Sequence, residues 1–306
     1  MNFTKVYKFV NVNIFSYLCK NKKIIMKILV TGGAGFIGMN LIKKLLKEGH
    51  QVHSLDNYET GFKENHIDGA TYIEGDIETI LYLDGDYDLV YHLAALSRIQ
   101  PSFEDPTETF RVNTNGCQVV AEWAKQKKVK VIYSGSSSRW HDPYQSPYAC
   151  FKHMGEEIFK MYRKVYELDV EICRFYNVYG PGEIVDGDWA AVIGIWRRQV
   201  RDGLPITIIG DGEQRRDFTH VDDIIDALYK VGMSSEKHED AWEFGTGINY
   251  SINEVYEMFK EKFGVDKIYL PDQSGNYRKT LRENDDTLER LGWEPQNRLK
   301  DYINSL

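Results

Sequence analysis

From Lys27 onward, short apolar runs alternate with longer stretches whose apolar residues recur three and four apart. Lys27 to Thr31 (KILVT) is such a run and predicts a buried strand. After a glycine turn, Ile37, Leu41, Ile42, Leu45 and Leu46 fall on one stripe, which predicts a helix from about Phe36 to Glu48 ended by Gly49. Gln51 to Asp56, Thr71 to Gly75 and Asp88 to Leu93 read as the second, third and fourth strands, the last leading into Ala94 and Ala95. Thr107 to Gln126 reads as a helix and Lys130 to Ser134 as a strand. Tyr148 to Glu167 reads as another helix and Val170 to Phe175 as the sixth strand. Strands and helices in series predict an α/β fold, a doubly wound parallel sheet with helices on both faces. Ligands of such sheets bind beyond the carboxyl ends of the strands, so the residues just after each strand matter most. After Gly180 the alternation turns irregular and rich in glycine and aspartate as far as Asp223. The expected division is residues 1–25 as an extension outside the fold, 26–178 as a nucleotide-binding domain to which later segments return, and 179–306 as a smaller substrate-binding domain.

Five segments carry chemistry. Thr31-Gly32-Gly33-Ala34-Gly35-Phe36-Ile37-Gly38 joins a strand to a helix, where a Rossmann-type dinucleotide fingerprint belongs. Its glycines admit a pyrophosphate to the backbone, and the helix amino end supplies free N–H groups. Asp56 ends the next strand at about the spacing, roughly 20 residues, at which a carboxylate accepts bonds from a ribose 2′-hydroxyl. It would repel a 2′-phosphate, so NAD is favoured over NADP. Tyr148 and Lys152 lie four apart on one helix face. A neighbouring ammonium lowers a phenol's pKa and suits it to take a proton from a sugar hydroxyl. Ser134 to Ser138 (SGSSS) follows an apolar strand, and Ser136 is the hydroxyl chosen to hold the reacting oxygen. Asn177, in the run Arg174 to Pro181, offers an amide to a sugar or phosphate oxygen. Arg215 and Arg216, inside a glycine-rich loop of an acidic chain, point to phosphate binding.

Composition narrows the partners. The chain has 306 residues and a formal net charge of −8, which disfavours nucleic acid and anionic membrane as partners. No apolar run approaches the roughly 20 residues of a spanning helix. Cys19, Cys117, Cys150 and Cys173 form no close pair, so a zinc or dithiol motif is not expected, nor any metal, and isolated thiols suit a reducing cytoplasm. Residues 1–25 hold Lys5, Lys8, Lys20, Lys22 and Lys23 without an acid, and no cleavage site follows an apolar core. A working start at Met26 is expected, with a targeting or partner-binding tail as the alternative.

In order along the chain, TGGAGFIG, HLAA (His92 to Ala95), YACFK, RFYNVYGPGE, RRDFTHVDDI and LGWEP resemble the extended short-chain dehydrogenase/reductases, specifically the NAD-dependent epimerase/dehydratase group, over Met26 to about Pro295. The resemblance implies that Gly32, Gly35, Phe36, Ile37 and Gly38 cradle the NAD pyrophosphate. It implies Asp56 and Asn57 at the adenosine ribose, Asp76 and Ile77 at adenine, and Leu93, Ala94 and Ala95 along the cofactor. Ser136, Tyr148 and Lys152 would be the catalytic triad, with Tyr148 and Lys152 also touching NAD. Ser97, Ser136, Asn177 and Arg216 would contact a nucleotide-diphosphate sugar. A homodimer through the helices beginning near Thr107 and Tyr148 is implied as well.

The likeness also separates reactions. The 4,6-dehydratases of the group carry Asp and Glu after the catalytic hydroxyl, where this chain has Ser137 and Ser138. Decarboxylases carry Glu at the second of these positions. Hydride removal and return at one carbon remains, as in a UDP-glucose 4-epimerase-like enzyme acting through a 4-keto sugar. The alternatives are a 4-ketoreductase or dehydrogenase, a decarboxylase, and a non-catalytic NAD-sensing module. Eleven residues separate Ser136 from Tyr148, fewer than is usual in the group. Trp140 stands at a customary tyrosine, and Gln273 where a diphosphate arginine is common.

Overall fold

The computed structural model describes residues 25–306, so the expectation for residues 1–25 lies, Ile25 apart, outside the described residues. The chain forms β1 (Lys27–Thr31), β2 (Gln51–Asp56), β3 (Thr71–Glu74), β4 (Leu89–His92), β5 (Lys130–Ser136), β6 (Val170–Phe175), β7 (Asn177–Tyr179), β8 (Ile206–Ile209), β9 (Arg215–His220), β10 (Trp242–Phe244), β11 (Asn249–Ser251) and β12 (Lys267–Leu270). Seven of these make one parallel sheet in the order β10-β6-β5-β4-β1-β2-β3. The order reverses between β1 and β4, which is where a doubly wound sheet opens a crevice. The expected Rossmann-type α/β fold is therefore observed.

Both sheet faces are covered. One carries Leu29, Val90, Val131 and Ile172 against Val120, Trp123 and Phe159 of the helices Gly116–Lys127 and Pro147–Tyr166. The other carries Ile28, Val30 and Ile132 against Leu41 and Leu45 of helix Phe36–Lys47 and Ile224 and Leu228 of helix Val221–Met233. Burial on both faces is why these strands read as continuous apolar runs rather than alternating ones. The chain crosses back after residue 178, since Trp242–Phe244 pairs with Cys173–Phe175 as the outermost strand. A separate cluster, with Trp196, Ile208, Phe218 and Phe259, supports the smaller region formed by β7–β9–β11 and β8–β12.

Two helices shape the site, and the first differs from the expected pattern. The stretch expected as one helix from Thr107 to Gln126 is helix Pro106–Phe110, a π-turn over Arg111–Asn115, and helix Gly116–Lys127. Asn113 in the π-turn accepts from Leu96 N at 2.9 Å and donates to Leu96 O at 2.8 Å. The widened turn thus aims a side chain that clamps the loop after β4, a use π-turns often have. Helix Pro147–Tyr166 begins on Ser146, whose hydroxyl accepts from Ala149 N at 3.1 Å, with Pro147 at its first position. That cap fixes the phase of the helix and hence where Tyr148 and Lys152 point.

Candidate active site

A cavity of about 730 Å³ lies at the carboxyl ends of the strands and runs from the β1 glycine turn to β8. At its cofactor end Gly32 has φ +74°, and a Cβ there would meet Ala94 N at 2.8 Å. A Cβ on Gly38 would meet Gly32 O at 2.1 Å. These two glycines close the turn tightly. Gly35 differs, for the nearest atom to an added Cβ is Gly32 O at 3.3 Å, and the residue lines the cavity. It leaves room for a ligand against the amino end of helix Phe36–Lys47, whose first turn has no side-chain cap. Asp56 accepts from Ala34 N at 2.9 Å and Tyr58 N at 2.8 Å, one bond per oxygen. Burial raises its pKa, opposed by those two bonds. Each oxygen keeps a lone pair for a ribose hydroxyl. Asn57 donates to Asp76 at 2.8 Å, and Asp76 also pairs with Arg111 at 3.1 Å. Phe36, Ile37, Ile77, Leu93, Ala94 and Ala95 all line the same end. The residues present fit a dinucleotide.

The triad converges at the middle of the cavity. Tyr148 Oη lies 3.4 Å from Ser136 Oγ, a long bond of the kind that tightens when substrate arrives. Ser136 Oγ is steadied by Ser138 N at 3.2 Å. Lys152 Nζ donates to Ser134 O at 2.5 Å and sits 4.6 Å above the Tyr133 ring. Burial raises the Tyr148 phenol above its ordinary value, while the Ser136 bond and the charge of Arg98 oppose the rise. The β5 backbone thus holds the Lys152 ammonium one helical turn beyond Tyr148. Burial also lowers the Lys152 ammonium, opposed by Cys117 and Glu156.

The substrate end is polar and partly unsatisfied. Arg215 and Arg216 lie on strand β9 rather than in a loop, so alternation sends them to opposite sides. Arg215 pairs with Glu254 at 2.9 Å, and Arg216 lines the cavity. Burial lowers Arg216 to about 10. The paired-arginine expectation therefore reduces to one residue. Asn177 lines the cavity too, but its amide donates to Asp217 O at 3.1 Å and Thr280 Oγ1 at 2.9 Å. Both donors are used, so only its carbonyl oxygen remains for a ligand, as an acceptor. Ser97 and Gln273 also line the cavity. The hydroxyls of Ser138 and Tyr277 lie there within reach of each other, while Glu183 Oε2 is buried without a hydrogen-bond partner. A polar group so placed is costly unless a ligand completes it. Sequence reasoning passed over Arg98, Glu183 and Tyr277. Arg98 alone carried a signal, since it follows a strand end.

Beneath the site lies a buried ionic cluster. Arg174, with 1% side-chain exposure, pairs with Glu156 at 2.9 Å, Glu243 at 2.8 Å and Asp240 at 2.8 Å. Its guanidinium stacks on Trp140, 5.0 Å from the ring centroid, and Trp140 Nε1 donates to Glu243 at 3.3 Å. The short segment between Ser136 and Tyr148 is pinned through this tryptophan.

A parallel sheet with a glycine turn, a buried carboxylate ending β2 and a Ser-Tyr-Lys set at the switch point has the form of an NAD-linked enzyme. The chain belongs to the NAD-dependent epimerase/dehydratase family, whose sequence model matches residues 28–245. Its cofactor is NAD. It is 33% identical over 303 residues to a UDP-glucose 4-epimerase of Mycolicibacterium smegmatis, covering 91% of this chain and 96% of that one. It is also 27% identical to UDP-glucuronic acid decarboxylase 1 of Arabidopsis thaliana, covering 91% of this chain and 68% of that one. The UDP-glucose 4-epimerase of Thermotoga maritima, solved with UDP-glucose, superposes with a TM-score of 0.85 at 30% identity, covering 91% of this chain and 96% of that one.

Proposed function

We propose that this chain is a nucleotide-sugar 4-epimerase that oxidises C4 and reduces it again from the opposite face. The observation that carries this reading is the site's inventory of acids and bases: Tyr148 and Ser136 meet at the strand edge, while Ser137 and Ser138 occupy the positions an elimination would fill with acids. Tyr148 Oη takes the C4 hydroxyl proton and later returns it. Ser136 Oγ holds the C4 oxygen on the line of that transfer. Lys152 orients the nicotinamide ribose and stabilises phenolate once its bond to Ser134 O loosens. NAD, when bound, supplies the hydride acceptor and donor. Arg216 faces the diphosphate, and the uncapped amino end of helix Val192–Arg201 adds backbone N–H groups to it. Relatives with UDP-glucose in their names support a uridine nucleotide.

The reading extends to assembly and location. Helix Pro147–Tyr166 leaves Met154, Met161 and Val165 exposed, at helical spacing. This apolar stripe supports a homodimer through that helix and its neighbour. Among the described residues no helix is long and apolar enough to cross a membrane. Cys117, Cys150 and Cys173 are free, which supports a reducing cytoplasmic setting. The test is a nucleotide sugar deuterated at C4, given to the enzyme with no added nicotinamide. Retention of deuterium at C4 in both epimers is expected. A product lacking it, or turnover only with added NAD+ and stoichiometric release of NADH, would exclude a resident hydride carrier and favour a dehydrogenase or ketoreductase.

A further inference from the structure

We infer that Arg98 is a specificity residue that reads an acidic group on the sugar, so that the site prefers nucleotide-linked hexuronic acids to neutral hexoses. The inference rests on the epimerase reading for the position of C4 and deepens it.

Arg98 follows β4 at the cavity wall and is braced by backbone, with Nε donating to Trp189 O at 2.8 Å and Nη1 to Ser97 O at 2.9 Å. Nη2 makes no hydrogen bond among the described residues. No carboxylate among them forms an ion pair with this guanidinium. Glu183 is near enough for its charge to be felt, but its Oε1 already accepts from Arg197 at 3.2 Å and Tyr302 at 2.9 Å. Arg98 is half-buried and makes no ion pair among the described residues, so a ligand that brings a carboxylate to its unused nitrogen gains a charge-assisted bond. Arg216 and the helix end at Val192 already face the diphosphate. Arg98 lies on the Tyr148 side of the cavity: Ser102, in the helix that follows it, accepts from Tyr148 N at 3.1 Å, and the Arg98 charge acts on the Tyr148 phenol. In a hexuronic acid the carboxylate is borne by C5, the carbon next to C4. A cation that reaches the C4 base is therefore placed to reach this carboxylate as well. The hydroxyls of Ser138 and Tyr277, within reach of each other, line the same cavity. Braced at two nitrogens, the fork loses little freedom on pairing, which favours a directional carboxylate contact.

The experiment titrates the NAD-loaded full chain with UDP-glucuronic acid, UDP-glucose and UDP by calorimetry, for wild type, Arg98→Met and Arg98→Lys. A charge-assisted pair predicts that wild type binds the uronic acid about 10- to 100-fold more tightly than the glucose compound. Arg98→Met should bring that ratio near unity, Arg98→Lys should restore part of it, and UDP, which lacks the hexose, should bind all three alike. Equal or weaker binding of the uronic acid by wild type would overturn the inference. So would an equal loss of UDP and uronic-acid affinity in Arg98→Met, because Arg98 would then be meeting the diphosphate. Selective binding of the uronic acid without any C4 epimer formed would end the epimerase reading and leave the role of Arg98 standing.

Discussion

Replacing Arg174 by methionine tests how far the short catalytic segment depends on the ionic cluster below it. Arg174 and Glu156 are each 1% exposed, and Glu243 is 4% exposed in its side chain. Methionine keeps much of the volume but takes this cation from the buried Glu156 and Glu243 carboxylates, leaving Glu156 only Arg139 at 3.7 Å. Removing one partner of a buried pair costs about 3–5 kcal/mol. Asp240 is half exposed, so its lost pairing adds little. At about 2–4 °C per kcal/mol for a chain of this size, the melting temperature should fall by roughly 6–20 °C. Arg174 also holds Trp140, so the segment from Ser136 to Tyr148 should loosen and turnover should drop more than NAD affinity. Thermal melts, steady-state kinetics and NAD titration of the purified variant read these effects separately. Converting Glu156 to glutamine in the Arg174→Met background should recover part of the stability, because one orphaned charge is removed. A loss under about 1 kcal/mol in Arg174→Met, or no recovery in the double variant, would refute the view that these charges are desolvated and mutually dependent.

Three further outcomes are expected. Tyr148→Phe should lower turnover by about 10²–10⁴-fold while NAD still co-purifies, as measured by activity and by cofactor content. Asp56→Asn should weaken NAD by about 10- to 100-fold and narrow its advantage over NADP, read by fluorescence titration of both. The fully buried His92, bonded to Thr31 Oγ1 at 2.8 Å, has its pKa lowered to about 3 by desolvation and then by Lys152. The unfolded chain therefore binds a proton near pH 6.5 that the folded chain refuses, and stability from this group is full above that pH and lost as pH falls toward 3. Denaturant titrations should show a slope of up to about 1.4 kcal/mol per pH unit in that window, flattened in His92→Gln.

Fold and cofactor site were legible because they rest on local signals. A strand buried on both faces must be an apolar run, and a pyrophosphate turn must be glycine, so β1, Gly32 and Asp56 announce themselves. The helix Pro147–Tyr166 was equally plain, since its apolar face has helical spacing. What stayed hidden depends on contacts between distant segments. The π-turn at Arg111–Asn115 exists because Asn113 reaches Leu96, a pairing that no periodicity records. Lys152 donates to Ser134 O, a contact set by how its helix packs on the β5 edge. Arg98, Glu183 and Tyr277 come from three segments far apart in sequence and meet only where the cavity gathers them. Asn177, by contrast, was noticed for its amide, yet that amide is spent on Asp217 and Thr280.

The most direct test of the central claim is to purify the chain, denature a portion gently, and assay the released nucleotide. The remainder is incubated with each of a panel of UDP-sugars, neutral and acidic, without added cofactor. Stoichiometric NAD together with interconversion of a C4-epimeric pair is the expected result. Protein that carries no NAD and takes none up when it is supplied would contradict the claim at its root.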